Sequence, residues 1–206
     1  MQIIPAINAT SYAGAKKQIE QAAQFAEIIH IDVVDGKFAQ NVTWGSPEEL
    51  KTFTADFEVH LMVDNPESVI EDWLKIGVKR IIIHLEAMTD PVYILETCEH
   101  YDAEAMLAIN PGTEVEKLLP HTDEFKSFQL LAVNPGLAGQ KFQRSIINKI
   151  EFLREKAPNA KIEVDGGINA ETGELAKEAG ADILVSASYI FESKNPKKTY
   201  EQLKNL

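Results

Sequence analysis

Four ionisable side chains interrupt runs that are otherwise apolar. His30 and Asp32 stand two apart in I-I-H-I-D-V-V, His60 lies in E-V-H-L-M, and Asp165 lies in I-E-V-D-G-G. In an extended strand a spacing of two puts side chains on one face, so His30 and Asp32 point the same way. Two imidazoles and two carboxylates make a donor set suited to a divalent transition metal. The competing account is a hydrogen-bonded core residue at each position, which is common for a lone buried histidine. Two aspartates in apolar strands fit that account poorly, because an unpaired carboxylate is costly to desolvate. His84 and Glu86 repeat the spacing in I-I-I-H-L-E; without a matching partner elsewhere they read as supporting or structural. His100 and His121 fall in expected loops and read as solvated.

A second group of residues suits an anion. Gly136 and Gly139 in V-N-P-G-L-A-G-Q permit a tight turn that exposes backbone N–H groups. Gly166-Gly167 follow Asp165 directly, and Ser186-Ala187-Ser188 precede an expected short helix. Backbone dipoles of this kind hold phosphate without a lysine.

Something must bring these positions to one place. Eight short β-branched or apolar runs recur along the chain, at 3–8, 27–34, 57–63, 80–86, 104–110, 128–134, 161–167 and 182–188. Each interval leaves room for one helix, which predicts βαβ units and a parallel sheet. Helix starts are marked at Ser46-Pro47, Asn65-Pro66, Asp90-Pro91 and Asn195-Pro196, each a capping side chain before a proline. Ser46 and Glu49 have capping-box spacing, and Gly77 and Gly180 are placed to close helices. Apolar helix faces are expected at Ile146, Ile147, Ile150 and Leu153, and at Val69, Ile70, Trp73 and Leu74. Eight such units predict one α/β domain over residues 1–206, a single (β/α)8 barrel of the TIM type, rather than an open doubly wound sheet. In that fold the candidate residues all sit at the C-terminal strand ends, where active sites form, and the loops after strands seven and eight are the usual phosphate site.

The bulk chemistry narrows the partners. A net charge of −12 argues against nucleic acid and anionic membranes. No apolar run reaches the roughly 18 residues of a membrane span. The N-terminal MQIIPAINATSY lacks the basic flank of a secretory signal, and the one cysteine, Cys98, forms no internal disulfide; a cytoplasmic setting is the expectation.

Five segments carry a family resemblance over nearly the whole length: H-I-D-V-V-D-G-K-F at 30–38, N-V-T-W-G at 41–45, V-H-L-M at 59–62, N-P-G-L-A-G-Q-K-F at 134–142 and E-V-D-G-G-I-N at 163–169. On these the chain resembles ribulose-phosphate 3-epimerases. The resemblance implies one divalent metal ion (zinc, iron, manganese or cobalt) bound by His30, Asp32, His60 and Asp165. It implies that Asp32 and Asp165 act as the acid–base pair on opposite faces of a small phosphorylated ketose. Phosphate would contact Gly136, Leu137, Ala138, Gly139, Gly166, Gly167, Ala187 and Ser188. It also implies a homo-oligomer and a place in pentose phosphate metabolism. The chain departs from the family at several substrate-facing positions. Pro5 is followed by Ala6 instead of serine, and Asn8 replaces leucine. Val34 replaces a methionine, leaving Met62 beside the metal, and Gln40 replaces a proline. Ala138 stands for glycine, and Ser186-Ala187 for Ala-Gly. The expected reaction is inversion at C3 of a ketopentose 5-phosphate. Two alternatives stay open: an epimerase of another phosphorylated ketose, such as a ketohexose 6-phosphate, and a phosphosugar-binding barrel without turnover. Retention of both aspartates and both histidines favours catalysis, since a binder needs no two-faced acid–base pair.

Overall fold

A computed structural model describes all of residues 1–206. Eight parallel strands close into a barrel in chain order: β1 (Gln2–Ile7), β2 (Ile28–Val34), β3 (Asp56–Met62), β4 (Arg80–His84), β5 (Glu104–Ile109), β6 (Ser127–Leu131), β7 (Lys161–Asp165) and β8 (Ile183–Ser186). Closure is completed by β8 pairing with β1, Gln2 opposite Ile183. All eight expected strands form, and the predicted closed barrel is the fold.

Alternation along each strand sorts side chains between two environments. On β3, Phe57, Val59 and Leu61 face the helices, joining a core that includes Ile29, Ile31, Ile81 and Ile83 of the neighbouring strands. Glu58, His60 and Met62 occupy the other parity and face the barrel interior. The interior is divided. Ile4 and Ala6 of β1, Ile82 of β4, Met106 and Ala108 of β5, and Ile183 and Val185 of β8 form an apolar cluster. His30 and Asp32 of β2, Glu58 and His60 of β3, and Glu163 and Asp165 of β7 are instead acidic or imidazole, and all six are buried or nearly so.

The outer helices are amphipathic and capped. Helix α1 (Tyr12–Ala22) starts at Ser11 and buries Ala15, Ile19 and Ala22. Helix α2 (Pro47–Leu50) is a single turn. Its Ser46 hydroxyl accepts from Glu49 N at 3.4 Å, but the Glu49 carboxylate takes a hydrogen bond from Trp44 Nε1 at 2.6 Å, so the reciprocal half of the capping box is diverted. Residues Pro66–Ser68 form a 3-10 turn leading into α3 (Ile70–Leu74), which buries Ile70, Trp73 and Leu74. Helix α4 (Pro91–His100) is capped by Asp90. The β5–β6 connection is not an α-helix: Val115–His121 is 3-10, with Pro120 inside it, as expected where proline removes a backbone donor. Helix α5 (Ile146–Lys156) buries Ile146, Ile150 and Leu153, while Ile147 is only partly covered. Helix α6 (Ala170–Ala179) has a full capping box between Asn169 and Thr172 and ends at Gly180. After β8 the short α7 (Ser188–Phe191) precedes α8 (Pro196–Lys204). No helix is long and apolar enough to cross a membrane.

His100 is exposed as expected, but it lies in the last turn of α4 rather than in a loop. His121 packs edge-on to Phe125 at 6.2 Å between ring centroids, because the 3-10 turn folds it back onto the protein.

Candidate metal and phosphate site

The strand register builds the centre. Asp32 stands beside His60 across β2 and β3, and Ala6, His30, Glu58, Arg80 and Glu104 form one row across five strands. Asp165 ends β7 on the opposite side of the barrel. His30 Nε2 lies 3.1 Å from Asp32 Oδ1, His60 Nδ1 lies 3.2 Å from the same oxygen, and His60 Nδ1 lies 3.7 Å from Asp165 Oδ2. One ligand atom from each of the four residues falls within 4.8 Å of all the others. Donors bound tetrahedrally at about 2.0–2.2 Å from one ion would sit roughly 3.3–3.6 Å apart, so the spacing fits a small divalent cation.

Protonation supports that fit. Burial pushes His60 down to about 4, with the nearby His84 adding to the effect, so its ring is neutral and offers a lone pair. Burial also opposes a charge on His30, but hydrogen bonds to Asp32 and Glu58 outweigh it and raise its pKa well above the ordinary value. A cation bound by His30 Nε2 and Asp32 Oδ1 would replace the hydrogen bond between them. Burial works against the Asp32 carboxylate, yet its bonds to His30 and His60 hold it well below the usual carboxylate range. Asp165 is supported less: burial, and then the Asp32 charge, outweigh His30 and the Gly166 N–H and push it up to about 7. A shared cation would relieve the repulsion between these two carboxylates.

Around the donors lies a shell of buried polar groups. Glu58 Oε1 is 2.7 Å from His30 Nδ1, which leaves Nε2 facing Asp32. Arg80 Nη1 donates to Glu58 Oε2 at 2.5 Å and lies 3.4 Å from Glu163 Oε2. Gln129 Nε2 donates to Glu163 Oε1 at 3.0 Å. Burial, with the Glu58 charge beside it, pushes Glu163 up to about 8. On the far side His60 Nε2 meets His84 Nε2, and His84 reaches Glu86. His84 and Glu86 are therefore partnered through His60, a supporting place behind one of the donors. Glu58, Arg80, Gln129 and Glu163 were missed altogether. A signal existed for two of them: Glu58 precedes His60 by two residues, and Glu163 precedes Asp165 by two, so each shares its neighbour's inward parity.

Above the donors opens a cavity of about 480 Å³. Asp32 and Asp165 are on its floor. Asn8, Met62, Gly136, Leu137, Ala138, Gly139, Gly166, Gly167, Ala187 and Ser188 all line it, together with Asn134, Gln140, Asn169 and Tyr189, which the sequence reading did not single out. His30 and His60 lie beneath, fully buried. Ala6 does not reach the wall: it is 1% exposed and packs in the apolar interior cluster, two residues below Asn8.

The glycine turns crowd the same rim. Gly136 has φ +112, and a Cβ there would come within 2.1 Å of Asn41 Oδ1. Gly167 has φ +67, and a Cβ would meet Phe142 N at 2.6 Å. Both positions need a residue without a side chain. Gln140 Nε2 donates to Asn134 O and Leu137 O, closing the loop of residues 134–140 over the cavity.

Comparison with known proteins gives the site a family. Residues 2–191 match the model of the ribulose-phosphate 3 epimerase family. A ribulose-phosphate 3-epimerase of Candida glabrata is 33% identical, covering 98% of this chain and 90% of that protein. One of Bacillus subtilis is 32% identical over 99% of this chain and 98% of its own. The crystal structure of 3-hexulose-6-phosphate synthase from Salmonella typhimurium superposes with a TM-score of 0.75 at 12% identity, covering 100% of this chain and 97% of that one; it shares the fold. With a family match across nearly the whole barrel and full-length relatives above 30% identity, the chain belongs to the ribulose-phosphate 3-epimerase family and is an isomerase of the epimerase kind.

Proposed function

We propose that the protein inverts C3 of a ketopentose 5-phosphate, interconverting D-ribulose 5-phosphate and D-xylulose 5-phosphate. The observation that carries this reading is the pairing of Asp32 and Asp165, which reach one cavity floor from β2 and β7. Similarity to ribulose-phosphate 3-epimerases over nearly the full chain supports the substrate.

A proton on C3, next to a carbonyl, is too weakly acidic to leave unaided. His30, His60, Asp32 and Asp165 would hold a divalent ion beside the substrate. When bound, such an ion stabilises the negative charge that develops on the substrate oxygens. One aspartate takes the C3 proton from one face, and the other delivers a proton to the opposite face of the enediolate. A lone base would return the proton to the face it left, so inversion requires both carboxylates. Backbone N–H groups of Gly136–Gly139, Gly166-Gly167 and Ala187-Ser188 would hold the phosphate, which offsets the repulsion of an acidic chain. Metal-replete protein incubated with D-ribulose 5-phosphate should produce D-xylulose 5-phosphate. Failure to do so with zinc, iron, manganese and cobalt in turn would contradict the proposal.

A further inference from the structure

Asp32 has two oxygens with different surroundings. Oδ1 faces His30 Nε2 and His60 Nδ1. Oδ2 accepts a hydrogen bond from Asn8 Nδ2 at 2.8 Å. The same amide nitrogen donates to Gly136 O at 2.9 Å. Both partners are acceptors only, so the orientation of the Asn8 amide is determined: its NH₂ group must face them. Its Oδ1 takes no hydrogen bond from the chain and is not among the buried unpartnered atoms. Asn8 lines the cavity, so that oxygen is left for a donor from solvent or substrate.

We propose that Asn8 is a positioning residue that ties Asp32 to the loop of residues 134–140. This rests on the reading of Asp32 as an acid–base group. A carboxylate turns freely about its Cβ–Cγ bond unless both oxygens are held. With Oδ1 committed to the histidines, the hydrogen bond to Oδ2 fixes the carboxylate plane. The second hydrogen of the same amide fixes Gly136, the first of the loop glycines, where Asn41 Nδ2 adds a further bond at 3.3 Å. One side chain thus links the loop that lines the phosphate cavity to the orientation of Asp32. Binding interactions made at the phosphate, remote from C3, are in this way used to orient the reacting group. Leucine, which offers no donor, cannot make the tie. Aspartate, which offers only acceptors, would repel both partners.

The test uses metal-loaded protein and two variants, Asn8→Leu and Asn8→Asp, the second nearly isosteric in case the first folds poorly. Hydrogen–deuterium exchange is followed over residues 134–140, without and with inorganic phosphate. Loss of one hydrogen bond should speed exchange of the loop about fivefold and weaken inorganic phosphate binding by a similar factor. With D-ribulose 5-phosphate, kcat should fall about tenfold or more, as expected when a charge-assisted hydrogen bond is lost, while KM rises less. Loop exchange indistinguishable from wild type in both variants would overturn the tie. An unchanged kcat would overturn the positioning of Asp32. If wild-type protein turned over no ketose phosphate, the epimerase reading would fall, and the exchange measurement would still decide the tie.

Discussion

His60 Nε2 lies 2.8 Å from His84 Nε2, with the two rings stacked at 5.0 Å between centroids. Two histidine nitrogens at that distance must share one proton. His60 Nδ1 hydrogen-bonds Asp32 Oδ1; for Nδ1 to serve instead as a metal donor atom, the ring's proton must sit on Nε2, pointing at His84. His84 then carries its own proton on Nδ1, 3.2 Å from Glu86 Oε2. Glu86 is held in turn by Asn110 N at 2.8 Å and by the Thr113 hydroxyl.

That chain gives the first prediction. His84→Ala leaves His60 free to change tautomer and ring orientation. Metal affinity should drop about 10–100-fold with the barrel still folded, as is usual when a partner behind a metal-binding histidine is lost. Titration with zinc, followed by calorimetry or a competing chelator, measures it. Unchanged affinity would show that His84 only fills space.

Glu86 supplies a pH dependence. Burial raises its pKa, but hydrogen bonds from His84 and Thr113 and from Asn110 N outweigh this and bring it down to about 2. The folded state therefore favours the ionised form relative to an unfolded glutamate near 4.3. Its stabilisation is complete above that value and is lost as pH falls toward 2. Glu86→Gln should cost about 1–3 kcal/mol above pH 5, and the gap to wild type should close during acid titration. Denaturant unfolding at a series of pH values checks this; a gap independent of pH would contradict it.

The barrel interior gives a stability prediction. Arg80 is 6% exposed and lies against Glu58, Glu104 and Glu163. Arg80→Met removes the cation but leaves Glu58 buried without its partner. Breaking a buried pair in this way should cost about 3–5 kcal/mol in urea unfolding. A loss comparable to a surface substitution would mean that the row carries no net charge balance.

The phosphate rim is tested at Gly139. Nothing lies within 4 Å of a Cβ placed there, but φ is +78. Valine would therefore act through backbone strain of about 1–2 kcal/mol rather than by collision. Affinity for inorganic phosphate should weaken roughly tenfold, with metal content unchanged. Equal affinity would place the phosphate elsewhere.

Much of this was legible because period-2 alternation and proline-marked helix starts are local signals. The runs at 57–63 and 80–86 correspond to Asp56–Met62 and Arg80–His84, and His30, Asp32, His60 and Asp165 converge as the parity implied. Glu58 and Glu163 share the inward parity of His60 and Asp165, but parity alone did not show that they and Arg80 are buried together. Charged residues near the starts of strands usually reach solvent, and only the closed register shows that these three face one another. Ala6 and Asn8 share a parity, but one lies in the packed interior and the other on the cavity wall. Spacing gives the face of a strand and not the depth along it. The 3-10 turn at Val115–His121 was hidden for a similar reason: strand periodicity fixes that a connection exists, not how it is wound.

In the proposed mechanism Asp32 and Asp165 serve opposite faces of C3. Asp165→Asn keeps the side-chain shape but can neither take nor give the proton, and it weakens one donor to the metal, so metal content is measured in the same sample. The decisive measurement is epimerisation of D-ribulose 5-phosphate by the metal-loaded variant in heavy water, with deuterium at C3 followed by NMR. Epimerisation should fall by about 10²–10⁴-fold, the usual contribution of a general acid–base group. Residual chemistry should be exchange at C3 of one epimer without inversion, driven by Asp32 alone. A metal-loaded Asp165→Asn protein that still epimerises near the wild-type rate would contradict the two-aspartate account.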